Sequence, residues 1–211
     1  IPMNRYIKYI LGLMTMAFGV VLMKKAALGI TPITSLPLAL NEVLPRLSLG
    51  TWTILFHIVC IIAIIVIRKK AELKTILMLP VGIGFGYFID LLLWLWSFET
   101  SAIAPRILLL MLGIPVSGLG VALINDADLM LPSPDGMIRT IASEYNKKYP
   151  VVKICGDCVW VASAAVIELA VLHRLTAVNG GTVAIDLWNR LLFSRKGPQA
   201  AEGGSERDRE L

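Results

Sequence analysis

The sequence predicts an all-α membrane protein, a polytopic helix bundle of five to six spans built from two structural repeats. Three observations predict this fold class. The 211 residues are 56% hydrophobic and have a mean hydropathy of +0.74, far above an ordinary soluble domain. Several nearly uncharged segments of about 17–21 residues are long enough to cross a bilayer core. A short phrase rich in proline and glycine occurs once in each half of the chain.

Five apolar segments are the predicted spans. They cover residues 6–23, 51–67, 76–96, 106–124 and 154–172. Two segments between them carry more polar groups. We expect residues 34–47 to form a short interfacial or partly inserted helix, and residues 137–149 to form an amphipathic surface helix.

The C-terminal part leaves the number of spans open. Residues 182–193 are apolar but short and carry Asp186 and Arg190, so they form a degenerate sixth span, a partly inserted segment or an interfacial helix. Residues 195–211 have no apolar period, and we expect disorder there. The domain prediction is one integral membrane domain over residues 1–194 followed by a disordered polar tail.

The net charge of +5 does not indicate nucleic-acid binding. Basic residues cluster at the ends of apolar segments, as in Lys24-Lys25, which is how membrane proteins distribute charge. The expected partner is the lipid bilayer of a bacterial cytoplasmic (inner) membrane. With six spans the positive-inside rule places both termini in the cytoplasm, whereas with five spans the basic residues divide evenly.

A shift of 101 or 102 residues brings the first half into register with the second. Repeat one covers about residues 6–98 and repeat two about residues 105–194. If each repeat holds three spans, consecutive repeats have opposite orientations, as in many transporters. The pairs that the shift brings together are Gly12 with Gly113, Gly19 with Gly120, Pro32 with Pro134 and Thr51 with Lys153.

Small residues form a face on several predicted spans. Gly12 and Gly19 share a face of the first span, and Gly82 and Gly86 form a G-x-x-x-G in the third. Small residues allow helix backbones to approach closely in a membrane. We expect close helix contacts at these faces, and they are also candidate faces for a homodimer.

The phrase that occurs twice, at residues 26–32 and 127–136, is interpreted as a broken-helix element. Its prolines remove backbone donors and free carbonyl groups upstream, and such groups persist at membrane depth only inside the protein or beside a watery cavity. A helix that begins after Pro134 would point its positive end at that cavity, with Ser133 and Asp135 near its start. Capping of the helix alone, and capping combined with a binding site, are both open.

These elements resemble the YczE/YyaS/YitT family of bacterial membrane proteins. That family has a G-x-x-P phrase in each half followed by an acidic residue, and a basic then an acidic residue at the start of the fifth span, where this chain has Lys153 and Asp157. The chain departs from the pattern at Thr34, where an acidic residue is common, at Met130, which replaces a glycine, and in its shortened sixth span. The departures favour the second half as the owner of a polar site.

The broken elements and the resemblance together define the candidate substrate-binding residues. They are Thr31, Pro32, Thr34, Ser133, Pro134, Asp135, Gly136, Lys153 and Asp157.

Further ionisable groups within the predicted spans are candidates for proton or ion coupling. They are His57, Asp90 and Glu168. Each has a structural alternative: His57 as a neutral side chain bonded to a neighbouring helix, and both carboxylates as groups near a membrane interface. Lys153 and Asp157 are spaced to pair at i, i+4. If Asp90, Asp135 and Asp157 converge, they would favour a cation or an amine, or carry protons.

The sequence carries no motif that indicates an enzyme, a metal site or a cofactor site, and we expect none of these. The phosphate-loop, dinucleotide and hydrolase motifs are absent from the sequence. Cys60 lies in an apolar run, and the C-x-x-C of Cys155 and Cys158 has no nearby histidine, so small helix residues are favoured over redox or metal chemistry. An intramembrane enzyme that uses carboxylates for acid–base work is a minor alternative.

The functional prediction is a small secondary transporter or permease that moves a small solute or ion through a site between the two repeats. The alternatives are a membrane scaffold or accessory protein that binds another membrane protein, and a small channel. An enclosed polar cavity bordered by Pro32 and Pro134 would favour transport. A dry core with an apolar outer groove would favour a scaffold, and a continuous water path a channel.

Overall fold

The computed structural model describes residues 4–97 and 102–173. Within these ranges the chain forms seven helices and no strand: α1 (Arg5–Ala26), α2 (Pro32–Val43), α3 (Leu49–Arg68), α4 (Leu73–Leu95), α5 (Ile103–Ala127), α6 (Ser133–Glu144) and α7 (Tyr149–Leu172). Helices α1, α3, α4, α5 and α7 are long and apolar enough to cross a membrane. The predicted all-α membrane bundle is confirmed, and the chain is a multi-pass membrane protein. The sixth apolar segment at 182–193 and the tail at 195–211 lie outside the described residues.

Helices α1 and α5 end in the same way, and each end leads into a short helix. The residue after each helix, Ala27 or Asp128, has a left-handed backbone with φ of 50° and 48°. This conformation stops a helix because it turns the chain away from the helix axis. The next helices begin within a few residues, at Pro32 and Ser133.

The short helices α2 and α6 contain 12 residues each, about 18 Å at 1.5 Å per residue, which is too short to cross a bilayer. Pro32 is the first residue of α2 and Pro134 is the second residue of α6. The first backbone N–H groups of a helix have no acceptor within the helix. Proline at these positions therefore removes a donor that would otherwise need a partner elsewhere. The prolines thereby lower the cost of starting a helix inside an apolar protein.

Helices α1 and α5 pack against each other in antiparallel directions with their backbones almost touching. A Cβ on Gly12 would lie 2.9 Å from the carbonyl oxygen of Gly120, and a Cβ on Gly113 would lie 3.1 Å from that of Gly19. A Cβ on Gly19 would lie only 2.6 Å from the backbone nitrogen of Ser117. The close contact expected at the glycine face of α1 is confirmed.

Basic residues at the start of each of these two helices reach the end of the other. Lys8 Nζ lies 2.7 Å from Asp126 Oδ2. At the opposite end, Arg106 donates from Nε to the carbonyl oxygen of Ala26 at 2.8 Å. A positive charge at a helix C-terminus is favourable because the last carbonyls carry partial negative charge. A polar contact between the two helices is therefore present at each end of the α1–α5 pair.

Helix α4 packs on α3 through the predicted G-x-x-x-G. A Cβ on Gly86 would lie 2.6 Å from the carbonyl oxygen of Gly50, and a Cβ on Gly82 would lie 2.7 Å from Nδ1 of His57. The glycine faces of α1, α4 and α5 are thus occupied by helices of the same chain. On the side of α4 at Gly84, by contrast, no atom of the described structure lies within 4 Å of the Cβ position.

Each short helix packs against both α3 and α7. The prediction of a surface helix at residues 137–149 is wrong for its first part, because Ile138, Thr140 and Ala142 of α6 are buried. The small and apolar side chains of one face of α6 fit between α3 and α7, and the polar residues 143–148 alone are exposed. Helix α2 likewise buries Thr34, Ser35 and Leu38 among other residues, so one of its faces is packed inside the protein.

Candidate functional site

The hydroxyl groups at the start of α2 form hydrogen bonds within that segment. Thr31 precedes the helix and makes no side-chain cap. Its Oγ1 lies 2.8 Å from Oγ1 of Thr34, and Ser35 donates from Oγ to the carbonyl oxygen of Pro32 at 2.6 Å. Local bonds of this kind are typical of Ser and Thr at a helix start. Of this group Thr34 is also turned towards a cavity, described below.

The start of α6 is arranged differently. Pro132 takes the N-cap position and no side-chain cap is formed, so the predicted cap by Ser133 or Asp135 is wrong. Ser133 becomes the first helical residue, and capping is a property of the preceding, non-helical position. Ser133 is only 1% exposed, and its Oγ has no hydrogen-bond partner within the described part of the chain. Asp135 lies in the first turn, where a negative charge faces the positive helix end.

Asp135, Asp157 and Lys153 form an ionic cluster inside the bundle. Nζ of Lys153 lies 2.9 Å from Oδ1 of Asp135 and 2.9 Å from Oδ1 of Asp157. The Asp135 and Asp157 side chains are 13% and 8% exposed. The predicted i, i+4 pair of Lys153 and Asp157 is confirmed. We call these three residues the ionic cluster; with all three groups ionised, its net charge is −1.

The two ion pairs of the cluster differ in geometry. Lys153 donates an aligned hydrogen bond to Oδ1 of Asp157. Oδ1 of Asp135 receives no aligned hydrogen bond from Lys153 or from any other described group, although it is buried. The contact between Lys153 and Asp135 is therefore an ion pair at hydrogen-bonding distance with poorer alignment than the bond to Asp157, and the Asp135 carboxylate keeps unused acceptor capacity.

His57 lies beside α6 in the middle of α3. It is 6% exposed and packs against the rings of Phe56 and Phe85. Its Nδ1 is buried and has no hydrogen-bond partner among the residues that the structure describes. The alternative of a histidine bonded to a neighbouring helix is therefore not seen at this nitrogen.

A small cavity of about 20 Å³ lies between the first turns of α2 and α6. That volume is enough for one water molecule. Leu13 and Met16 of α1 and Val81 and Phe85 of α4 form much of its apolar wall. The polar residues that line it are Thr34, Thr53, His57, Ser133 and Asp135.

A comparison of the sequence with family models gives a match over residues 3–189. The chain belongs to the family of unknown function DUF6198. No curated protein and no solved structure matches the chain. The matched range contains both short helices of this DUF6198 chain, the ionic cluster and the cavity.

Asp90 does not join the ionic cluster of the DUF6198 chain. Its Oδ2 accepts a hydrogen bond from Ser48 Oγ at 2.5 Å, and its Oδ1 accepts one from the backbone nitrogen of Gly50 at 2.8 Å. Asp90 therefore serves the start of α3, where amides lack internal acceptors. Gly50 and His57 are seven residues apart on α3, about 10 Å along the helix axis. The geometry indicates a structural role for Asp90, and the three aspartates do not converge.

Glu168 also lies away from the cluster. It is 0% exposed and belongs to α7, eleven residues after Asp157, which is about 16 Å along the axis. Glu168 is near the end of the helix, as its sequence position indicates, but it is enclosed by protein.

Of the remaining candidate residues, Pro134 lines the cavity beside Ser133, whereas Thr31, Pro32 and Gly136 do not. Pro32 is buried at the start of α2, and Gly136 contacts the side chain of Met78 on α4. Cys60 is buried, whereas Cys155 and Cys158 are exposed on α7. Within residues 4–97 and 102–173, no group of three His, Cys, Asp or Glu side chains could hold a metal ion.

Thr53 is the polar cavity-lining residue that the sequence interpretation missed. Its Oγ1 donates to the carbonyl oxygen of Leu49 and the residue is buried. A signal was present, because Thr53 lies four residues before His57 and so shares its helix face. Polar groups at i, i+4 in an apolar span indicate the side of the helix that faces other protein groups.

Proposed function

We propose that this DUF6198 chain is a small secondary transporter or permease of the bacterial cytoplasmic membrane, which moves a small solute or ion through the cavity between its two halves. The observation that carries the proposal is the ionic cluster beside that cavity, in which two largely buried carboxylates meet a Lys153 side chain that is 26% exposed. Charged groups buried at membrane depth are costly to stability. Packing alone would be served better by apolar residues, so the cluster favours a functional role.

The arrangement of α1 and α5 supports inverted repeats as part of this proposal. Gly12 and Gly19 are the counterparts of Gly113 and Gly120 under the sequence shift. Gly12 contacts Gly120 while Gly19 contacts Gly113, so the two contacts exchange under a two-fold rotation. Equivalent helices that run in opposite directions are a common transporter design, with the site near the axis.

The position of the short helices fits a site that alternates between the two sides. Helices α2 and α6 both begin at the cavity, and each packs on α3 and α7. The cavity has room for about one water molecule, so a solute enters only after the helices around it move apart. A rocking motion of one repeat against the other would open the cavity to each side in turn.

The same observations weigh on the other candidates. A cavity that holds about one water favours a carrier over an open channel. A scaffold would gain nothing from an ion cluster in its interior, but it remains the outcome if no solute is moved. We also propose kinship with the YczE/YyaS/YitT family, supported by the two broken elements and by the order of Lys153 and Asp157.

Solute uptake into proteoliposomes tests the transport proposal. The panel contains small amines, amino acids, organic anions and inorganic ions, with and without a proton gradient. We expect saturable uptake of at least one solute, reduced about tenfold or more by Asp135→Asn because a charge-assisted contact in the site is lost. The matched control is Asp126→Asn, whose carboxylate pairs with Lys8 and does not line the cavity.

The control variant should keep the parent's uptake rate. Uptake of no solute by the folded parent would overturn the transport proposal and favour the scaffold. Uptake that Asp135→Asn leaves unchanged would overturn the site, because the solute would then cross elsewhere.

A further inference from the structure

The two carboxylates of the ionic cluster already hold a primary ammonium group. Nζ of Lys153 is 2.9 Å from one oxygen of each. The end of a lysine side chain is a CH₂–NH₃⁺ group, which has three hydrogen-bond donors and one positive charge. The cluster therefore shows the chemistry of the head group that it can accept.

Lys153 lies at the same distance from both carboxylates but shares a helix only with Asp157. Lys153 and Asp157 share α7 and form an aligned hydrogen bond. Asp135 belongs to another helix, α6, and its buried Oδ1 has no aligned donor among the described groups. Asp135 lines the cavity, while Lys153 and Asp157 do not. Asp135 is the carboxylate that a group entering the cavity would meet first.

Two further residues that line the cavity each carry a buried polar atom with unused bonding capacity. Oγ of Ser133 and Nδ1 of His57 are buried without a hydrogen-bond partner in the described part of the chain. Both residues are more than nine-tenths buried and both line the cavity together with Asp135. A buried polar group without a partner is costly, and both atoms can accept a hydrogen bond from an N–H donor.

We propose that Lys153 occupies the solute's place in this closed conformation, and that the solute is a small protonated primary amine which displaces Lys153 from Asp135. This inference rests on the proposed transport function and names its substrate class. The amine's N–H groups would donate to Asp135, Ser133 and His57. Lys153 would then pair with Asp157 alone.

The charges of the empty and loaded cluster fit an amine. Without solute, one ammonium serves two carboxylates, and the positive start of α6 partly offsets the remaining negative charge. With a protonated amine, two ammonium groups serve two carboxylates and the cluster is neutral. An anion would raise the negative charge of a buried site, which is unfavourable in an apolar interior.

Thermal stability of the purified protein in detergent tests the inference, because a ligand that binds the folded state raises its apparent stability. The probes are ammonium chloride and methylammonium chloride, with tetramethylammonium chloride as a cation that has no N–H group and sodium formate as an anion. We expect dose-dependent stabilisation by methylammonium and none by tetramethylammonium or formate. Asp135→Asn should abolish the response, and Asp126→Asn should keep it.

Substitution of Lys153 shows whether this residue competes with the amine or binds it. Affinity for methylammonium should rise if Lys153 is a competitor and fall if Lys153 is a ligand-binding residue. Lys153→Gln removes the competitor, so the protein should bind methylammonium about tenfold more tightly or better. Asp157→Asn leaves Lys153 with Asp135 alone, so that variant should bind methylammonium more weakly. Lys153→Arg keeps a competitor with more donors, and it provides a folded variant with weakened binding if Lys153→Gln does not fold.

Several results would overturn the inference. They are loss of the methylammonium response in folded Lys153→Gln, stabilisation by formate that depends on Lys153, and absence of any response to both amines in the parent. Uptake of another solute class in proteoliposomes would then leave the transport proposal intact. Conversely, methylammonium binding with the expected Lys153 effect but without uptake of any solute would retain the amine site and overturn transport.

Discussion

Individual side chains of the site are positioned by local rules that act on different helices. Asp135 lies in the first turn of α6, where the helix end favours a negative charge. Lys153 lies one turn before Asp157 on α7, where the spacing alone brings the two together. The cluster forms because the packing of α6 on α7 places these two features side by side. Each carboxylate alone would be hard to keep ionised at this depth.

Asp90 allows a prediction about stability at the level of one side chain. Asp90→Ala removes the acceptor for Ser48 and for the Gly50 amide, so we expect the free energy of unfolding to fall by about 1–2 kcal/mol. Unfolding by heat or denaturant in detergent measures it, with Glu72→Ala as the control. Glu72 pairs with Arg68 on the surface, and such exposed pairs contribute about 0–1 kcal/mol. Equal losses in both variants would contradict the assigned role of Asp90.

Helix pairs in the molecule depend on glycine because there is no room for side chains between them. At the α1–α5 contact, the atoms that would meet a Cβ on Gly19 or Gly120 are largely backbone atoms, which cannot swing away. In a membrane, where lipid is as apolar as the helix surface, such close contact is a main source of association. The short helices are different, because their packing on α3 and α7 buries polar residues at the cavity.

Two glycines on the spanning helices provide a matched test of this contact. Gly19→Ala places a Cβ 2.6 Å from the backbone of Ser117, and we expect a loss of about 1–3 kcal/mol from the strain. Gly84→Ala places a Cβ where no atom lies within 4 Å, and we expect no loss or a gain of about 0.5–1 kcal/mol from helix propensity. Unfolding of both variants in the same detergent gives the comparison. A Gly84 variant as unstable as the Gly19 variant would contradict the close contact of α1 and α5.

At the scale of the whole molecule, the direction of each span decides whether the halves are inverted. Five spanning helices are described, and an odd number places the two ends of the described chain on opposite sides. A sixth span would return the C-terminus to the side of the N-terminus. The antiparallel contact of α1 and α5 is what three spans per repeat require.

Reporter fusions at the two termini test the proposed topology. We expect both ends of the full chain to report a cytoplasmic location, because six spans place the excess of basic residues there. A fusion placed directly after His173 should report the opposite side, since it follows only five spans. The same location for the fusion after His173 and the fusion at the C-terminus would contradict a sixth span.

Much of the fold could be predicted from the sequence because its signals are local. The lengths of the apolar segments predicted the spanning helices. The short helices were expected at 34–47 and 137–149, and they begin two and four residues earlier, at Pro32 and Ser133. The i, i+4 spacing predicted the pair of Lys153 and Asp157. The helix cap was predicted wrongly at Ser133, because Pro132 takes the N-cap position. The burial of α6 was also missed, because its polar residues lie in its last part and on one face.

The sequence by itself determined that this is a multi-pass helical membrane protein with a proline-broken element in each half, since hydropathy and proline act through neighbouring residues. Only the tertiary structure decided which polar groups meet. It brought Asp135 to Lys153, turned His57 and Ser133 to a common cavity, and separated Asp90 from all of them. The physical reason is that these contacts join helices far apart in the chain. Their relative position depends on how closely the glycine faces pack, which no local pattern specifies.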